Sequence, residues 1–154
     1  MDVETFKQAL SHLSAGVSVI TTRTPEGRLV GFTATSFTSL SLSPPLVLFC
    51  LGEDATALPA FEAAEGFAVN LLTRDQQAIS DAFAARAQQT FPEVNHAPGR
   101  RGVPLLTGSL AILECRTTQR YPGGDHRIFI GEVEEAHVGS GAPLLYYRRA
   151  YHTL

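Results

Sequence analysis

The stretch from Gly31 to Leu42 is chemically unusual, because six of its twelve residues are Ser or Thr and none carries a charge. Small hydroxyl groups donate and accept hydrogen bonds without adding bulk. Such a segment could lie flat against a large polar ring and bond to it through hydroxyls and backbone amides. A Thr-rich strand without a ligand is the simpler interpretation, since Thr favours sheets for packing reasons. Composition alone favours that simpler interpretation.

A second polar feature is the segment Gly123-Gly124-Asp125-His126, which lies between two apolar, strand-like runs. Glycine turns of this kind often carry an Asp that bonds to the backbone, and His126 would then lie in solvent. In the alternative interpretation His126 projects from a strand end into a cleft and contacts a ligand. Asp125 would then either orient His126 or hold the turn. For a lone histidine the first interpretation is the commoner one.

Two other kinds of site find no support in the sequence. Ser36, Ser39 and Ser41 do not stand in a Gly-x-Ser-x-Gly elbow, so a serine hydrolase is not predicted. Cys50 and Cys115 lie far apart in apolar runs, and no two histidines are three or four residues apart. A metal site is therefore not expected.

Composition limits the class of protein further. A length of 154 residues suits one domain, residues 1–154, with a real hydrophobic core. The apolar fraction of 44% and the charged fraction of 18% are typical of a soluble globular protein. A net charge of −3 without a basic patch argues against nucleic acid as a partner. No apolar run is long enough to span a membrane and the N-terminus is unlike a signal peptide, so we expect a cytoplasmic protein.

Hydrophobic periodicity predicts the elements that position these residues. The predicted strands are residues 17–22, 29–33, 46–51, 67–72, 110–121, 127–135 and 144–147, and the predicted helices are residues 4–13, 57–65 and 73–87. The first two strands form a hairpin, and Thr73 with Gln76 forms a capping box at the third helix. Residues 46–51 are apolar throughout, which predicts a central strand buried on both faces. Residues 88–108 are predicted to be a long irregular loop with a functional or lid role.

Strands outnumber helices in this pattern and do not alternate with them. We therefore predict a mainly β fold, an antiparallel β-barrel with peripheral helices, rather than a doubly wound sheet. No Gly-x-Gly-x-x-Gly follows a strand, so a Rossmann dinucleotide site is not supported.

Several runs occur in the order seen in a known family. The sequence resembles the short-chain flavin reductases, the reductase components of two-component flavin-dependent monooxygenases, at Gly16–Thr22, Gly31–Ser39, Ser41–Val47, Phe67–Leu72, Gly124–His126 and Gly131–Val133. The resemblance covers residues 5–151 without a large gap. It implies an FMN-binding split barrel of Greek-key antiparallel topology. Arg120-Tyr121-Pro122 with the Gly-Asp-His turn is especially similar to reductases that serve aromatic polyketide oxygenases.

The resemblance also implies an activity and its partners. NAD(P)H would reduce free FMN, or FAD, by direct hydride transfer without a catalytic residue, and the reduced flavin would supply a partner oxygenase. A homodimer is implied as well. Two alternatives stay open: a flavin-binding protein without reductase turnover, and a split-barrel relative that binds another cofactor such as haem.

Site residues follow from the same resemblance. Residues 33–36 would lie along the flavin ring, residues 39–41 near the ribityl chain, and the loop 52–57 around the phosphate. His126 would lie near the nicotinamide, and Tyr147 and Tyr151 would close the barrel end. The implied flavin-binding residues are Thr33, Ala34, Thr35, Ser36, Ser39, Leu40, Ser41, Leu51, Gly52, Asp54, Thr56, Phe83 and Arg86.

One departure from the family pattern concerns the phosphate loop. Many members carry Ser or Thr near positions 55 and 57, whereas this loop reads Glu53-Asp54-Ala55-Thr56-Ala57. Two acids beside a phosphate dianion would weaken flavin binding by roughly a few kcal/mol if poorly solvated. Backbone amides, or an arginine among Arg86, Arg100 and Arg101, could offset this repulsion.

Overall fold

The computed structural model describes residues 1–85 and 90–154. Its helices are α1 (Val3–Leu10), α2 (Leu58–Ala63) and α3 (Gln77–Ala84). Its strands are β1 (Ala15–Gly16), β2 (Ser18–Arg23), β3 (Leu29–Ala34), β4 (Thr38–Leu42), β5 (Pro45–Gly52), β6 (Gly66–Leu71), β7 (His96–Pro98), β8 (Pro104–Leu106), β9 (Ala111–Gly123), β10 (His126–Val138), β11 (Leu144–Tyr147) and β12 (Ala150–Thr153).

Seven strands form one antiparallel sheet in the order β3-β2-β6-β9-β10-β5-β4. The edge strands β3 and β4 are consecutive in the chain, with only three residues between them. Four residue steps span about 14 Å at most, so the two edges of the sheet must approach each other. The sheet therefore curls into a barrel, and the hydroxyl-rich stretch crosses its open side. The predicted mainly β, antiparallel barrel with peripheral helices is confirmed.

Two hydrophobic clusters fill the fold. The first lies inside the barrel and centres on Phe49, whose ring stacks on Phe129 at 5.0 Å and meets Phe67 edge-on at 4.9 Å. The second joins the barrel to α3 and to the small sheet β1-β11-β12, and includes Leu72 and Phe83. The second cluster thereby fixes α3 against the barrel wall.

Several predicted elements are confirmed with shifted bounds. The β2–β3 hairpin and the long β9–β10 hairpin form as expected. The backbone N–H of Thr73 donates to Oε1 of Gln76 at 3.0 Å, as the capping box requires, and a short 3₁₀ turn precedes α3. Helix α3 ends at Ala84. The predicted extension to residue 87 reaches residues 86 and 87, which lie outside the described residues.

Two predictions about elements were wrong, and a further strand was missed. Strand β5 buries Val47, Phe49 and Leu51, but its alternate residues are only half-buried, because β5 lies next to the edge strand and its outer face is uncovered. Residues 90–108 of the predicted irregular loop contain a small hairpin of β7 and β8, and residues 88 and 89 lie outside the described residues. Strand β12 was not predicted at all; it pairs with β11.

Candidate functional site

A cavity of about 260 Å³ opens where β3, the loop after β5 and the end of α3 meet. Six of the residues expected to bind flavin line it: Thr33, Leu51, Gly52, Asp54, Thr56 and Phe83. The remaining lining residues are Gly31, Phe32, Ala55, Ala57, Ala84 and Ala85. We call this space the first cavity. Residues distant in sequence therefore meet there, as a site for one ligand requires.

Contacts between β3 and α3 shape one wall of the first cavity. Thr33 lines it, yet its hydroxyl donates to the carbonyl oxygen of Ser80 at 2.5 Å. The Ser80 hydroxyl bonds to Tyr151 at 2.7 Å, and Tyr151 donates to Asp81 at 3.0 Å. These bonds hold α3 between β3 and β12, and so place Phe83, one helical turn further on, at the cavity wall.

The hydroxyl-rich stretch is not sealed inside the core. Ala34 is buried, whereas Thr35 and Ser36 are exposed. The Ser36 hydroxyl donates to the Cys50 carbonyl at 2.9 Å and accepts the Cys50 N–H at 3.2 Å. One side chain thereby ties the connection between β3 and β4 to β5. The Ser36 hydroxyl thus stabilises the barrel opening, while exposed residues such as Thr35 stay accessible to a ligand.

Not every predicted residue reaches the first cavity. Ser39, Leu40 and Ser41 lie on the edge strand β4 and do not line it, so their contact with the ribityl chain stays a prediction. Thr35 and Ser36 line a neighbouring cavity instead. Arg86 lies outside the described residues.

The two acidic residues of the loop after β5, Glu53 and Asp54, have different surroundings. Glu53 forms an ion pair with Arg127 at 3.1 Å. The Arg127 guanidinium also pairs with Glu62 at 2.9 Å. Asp54, in contrast, lines the first cavity. Among the described lining residues of this cavity there is no cationic side chain. A phosphate there would meet backbone amides, the Thr56 hydroxyl and one carboxylate.

The expected compensation by Arg100 or Arg101 is not supported. Arg100 pairs with Glu135 at 3.2 Å, and Arg101 pairs with Glu134 at 2.6 Å. Neither arginine lines the first cavity. Their role is to fasten the turn between β7 and β8 to β10.

The Asp125–His126 pair lies at the rim of the first cavity. His126 is paired with Gly52 in the β10–β5 ladder, and its Nε2 would be 3.9 Å from a Cβ placed on Gly52. Its Nδ1 bonds to the Asp125 carboxylate at 2.7 Å, and this hydrogen bond lowers the pKa of Asp125. An ionised Asp125 only accepts, so Nδ1 carries the proton and Nε2 is left for a ligand. Asp125 also holds the turn, since its carbonyl accepts the N–H of Glu53 at 2.9 Å.

A buried carboxylate elsewhere was not recognised from the sequence. Glu114 lies within β9, and its oxygens accept the Arg100 N–H at 2.6 Å and bond to His137 Nε2 at 2.7 Å. Glu135 lies close by. With both oxygens engaged, Glu114 anchors the β7–β8 segment to the sheet. Its position in an apolar strand was the only signal in the sequence.

The open barrel and the largely neutral cavity at its rim define a β-barrel protein with a site for a small molecule. Among the described residues, no helix has the length and apolar character that a transmembrane span needs.

Burial, together with nearby Glu134 and Glu114, raises the pKa of Cys115 to about 12, so this thiol is a packing residue rather than a nucleophile.

Comparisons with known proteins identify the family. The model of the family described as "Flavin reductase like domain" matches residues 10–154. The chain is 44% identical to the reductase component of 4-hydroxyphenylacetate 3-monooxygenase from Thermus thermophilus, over 98% of this chain and 96% of the relative. It is 39% identical to the FMN reductase (NADH) SmoA of Agrobacterium fabrum, over 95% and 83%. The chain belongs to the flavin reductase like domain family.

A solved structure agrees with this assignment. The NADH:FAD oxidoreductase SgcE6 of Streptomyces globisporus, in complex with NAD and FAD fragments, matches with a TM-score of 0.91 and 36% identity, over 98% of this chain and 92% of that chain. The predicted family and the split-barrel fold are therefore confirmed.

Proposed function

We propose that the chain reduces free FMN or FAD with NADH or NADPH and supplies the reduced flavin to a partner oxygenase. The observation that carries this proposal is the meeting of Thr33, the Gly52–Thr56 loop and Phe83 around one cavity, with His126 at its rim. The site residues named from the sequence are proposed in these roles, including Arg86.

The lining of the first cavity suits a flavin. The buried side chains of Leu51 and Phe83 form an apolar backing to its wall, and backbone groups of the loop can bond to polar atoms. When bound, flavin and nicotinamide supply the chemistry themselves, by hydride transfer between stacked rings. This chain's contribution is to hold and orient them, so no general base is required.

His126 is proposed to orient the nicotinamide. Its Nε2 is free to bond to a carboxamide because Asp125 occupies Nδ1. The side chain is about half exposed (51%), which keeps the site open to an entering and leaving dinucleotide. An open site with Asp54 in its phosphate loop also suits a flavin that is released after reduction.

The assembly is proposed to be a homodimer of single-domain chains in the cytoplasm. Apolar side chains on α1 are exposed, among them Phe6 (48%) and Leu10 (52%). Cys50 and Cys115 are both free, which suits a reducing compartment.

A steady-state assay with each flavin and each nicotinamide tests the activity. Under anaerobic conditions we expect NADH or NADPH to bleach added FMN or FAD. Binding of flavin without bleaching by either nicotinamide would instead support a flavin-binding protein without turnover. An absorption spectrum of the purified protein with a haem band would contradict both.

A further inference from the structure

A second cavity, of about 620 Å³, lies between α1, the ends of β1 and β3, and the turn that joins β11 to β12. Thr35 and Ser36 of the hydroxyl-rich stretch form part of its wall. Thr33 lines the first cavity, two residues away, so the walls of the two cavities are about 7 Å apart at most at this point. One extended ligand could therefore reach both.

The second cavity is cationic, in a chain whose net charge is −3. Its described lining includes three cationic side chains and only one carboxylate. The cations are Lys7, Arg148 and Arg149, and the carboxylate is that of Glu4. Glu4 is shared, since it lies 3.2 Å from Lys7 and 3.9 Å from Arg149. One negative charge thus opposes three positive charges.

Arg148 has no acidic partner among the described residues. One of its terminal nitrogens bonds to His12 Nε2 at 3.1 Å, and its guanidinium lies 5.5 Å from the centre of the Tyr147 ring. The Nδ1 of His12 bonds to the carbonyl of Gln8 at 2.9 Å, which leaves Nε2 as the acceptor. Neither neighbour supplies a negative charge, so the charge of Arg148 is available to an anion.

The backbone of this turn is unusual for its residues. Arg148 and Arg149 are the two central residues of the β11–β12 hairpin, with φ of 49° and 63°. Both angles lie in the left-handed region, where such hairpins strongly prefer Asn-Gly. The Arg148 N–H also donates to the Ser11 carbonyl at 2.9 Å, which fixes the turn against α1. Two arginines thus occupy a conformation that favours smaller residues, and both line the cavity.

We propose that the second cavity binds the adenosine diphosphate half of a dinucleotide whose redox-active ring lies at the first cavity. Arginine forks match phosphate oxygens, and Tyr146 and Tyr147 in the same wall offer aromatic faces to a base. The loop after β5 in the first cavity could receive a single flavin phosphate, but among the described lining residues this cavity offers no cation to a diphosphate, whereas the second cavity offers three. This inference rests on the proposed function. Both FAD and NADH carry such a half, and the test distinguishes them.

The test replaces Arg148-Arg149 with Asn-Gly, which removes both charges and gives the turn the residues it prefers. Calorimetric titration with ADP should show binding to the wild-type protein that is weakened about tenfold or more in R148N/R149G, since bonds to charged groups are lost. Arg74→Asn, at an exposed arginine outside both cavities, is the control and should leave ADP binding unchanged. Lys7→Gln, which leaves the turn intact, should weaken ADP binding in the same direction.

A comparison of each dinucleotide with the mononucleotide that lacks its adenosine half then identifies which ligand supplies the phosphates. If FAD supplies them, the double variant loses affinity for FAD relative to FMN; if NADH supplies them, its KM for NADH rises relative to that for reduced nicotinamide mononucleotide. Either outcome supports the proposal. Wild-type protein that does not bind ADP would overturn it, as would ADP binding unchanged in R148N/R149G, or a second copy of the chain filling the cavity.

The ADP titration does not depend on turnover. Failure of the proposed function would appear as wild-type protein that binds ADP but does not reduce flavin. Failure of this inference alone would appear as protein that reduces FMN but does not bind ADP.

Discussion

At the residue scale, the Asp125–His126 pair shows how one turn can both hold a loop and position a side chain at the rim of a cavity. Asp125 makes two separate bonds: its carbonyl fixes the loop after β5, and its carboxylate fixes the tautomer of His126. The two interpretations of this segment from the sequence are therefore compatible. A turn that is stable for structural reasons places an imidazole nitrogen at the cavity rim.

Replacing His126 with Ala tests its role towards the nicotinamide. We expect the KM for NADH or NADPH to rise by about tenfold, the value of one or two polar contacts, while the KM for flavin changes much less. His96→Ala, at an exposed histidine on β7, is the control and should change neither constant. Equal rises in both constants for His126→Ala would remove His126 from the nicotinamide site.

A second residue-scale prediction concerns Asp54. Because this carboxylate lines the first cavity and has no ion-pair partner among the described residues, it should repel a flavin phosphate. Asp54→Ser removes the charge and adds a hydroxyl, so FMN should bind about fivefold more tightly, and the gain should shrink as salt is added. Fluorescence titration of FMN measures this.

Glu53→Gln is the matched control for Asp54→Ser, because Glu53 is adjacent but paired with Arg127. FMN affinity should not change in this variant. An unchanged titration for Asp54→Ser would show that the phosphate binds away from this loop.

At the element scale, the packing of α3 on β3 depends on the absence of a side chain at Gly31. A Cβ there would lie 2.7 Å from Cε1 of Phe83, closer than real contacts allow. Gly31→Ala should therefore destabilise the protein by about 1–3 kcal/mol and push Phe83 towards the first cavity, which would weaken FMN binding. Denaturant unfolding and flavin titration measure the two effects.

Gly131 offers a matched comparison within the barrel. A Cβ at Gly131 would lie 2.5 Å from Cζ of Phe67, which belongs to the barrel interior and does not line the first cavity. Gly131→Ala should lower stability by a similar amount with little change in FMN affinity. If Gly31→Ala lowered stability without changing FMN affinity, Phe83 would not form part of the flavin site.

The sequence revealed long, regular elements better than short ones. The 13-residue strands β9 and β10 were found because their apolar patterns persist over many residues. Strands β7 and β8 have three residues each and contain prolines, so no periodicity can develop. The apolar run in β5 predicted burial on both faces, but burial depends on the neighbouring strand, which a local pattern does not contain.

The two cavities also differ in how far their residues could be predicted from the sequence. Thr33, the loop at Gly52 and Phe83 could be named because motifs of a known family carry them. The cationic turn at Arg148 could not, because two adjacent arginines resemble any exposed pair. Their left-handed backbone follows from the pairing of Tyr147 with Ala150, which is a tertiary feature.

At the scale of the whole molecule, the barrel is completed by the stretch that also contributes to its site. The three residues between β3 and β4 must join two sheet edges, and Ser36 ties them to β5. Thr35 and Ser36 in this crossing are exposed, whereas Phe37 packs against the hydrophobic cluster inside the barrel. The small, neutral hydroxyl residues therefore suit both closure of the barrel and contact with a polar ring.

Helix α1 is the element that supports the proposed homodimer. It has eight residues and none of them is buried. An isolated helix of this length is marginal in water, so its stability needs packing from elsewhere. Val3 (62% exposed) and Phe6 (48%) present an apolar face beside the side that lines the second cavity. A second copy of the chain would cover this face.

We therefore expect light scattering at micromolar concentration to give the mass of two 16.6 kDa chains. Val3→Ser/Phe6→Ser should shift the protein towards monomer, because burial of these side chains contributes about 1.5–3 kcal/mol each. Val138→Ser is the control, since Val138 is an exposed apolar residue (88%) at the end of β10, and it should leave the mass unchanged. A wild-type monomer would contradict the homodimer, and a dimer unaffected by the α1 variant would place the interface on another face.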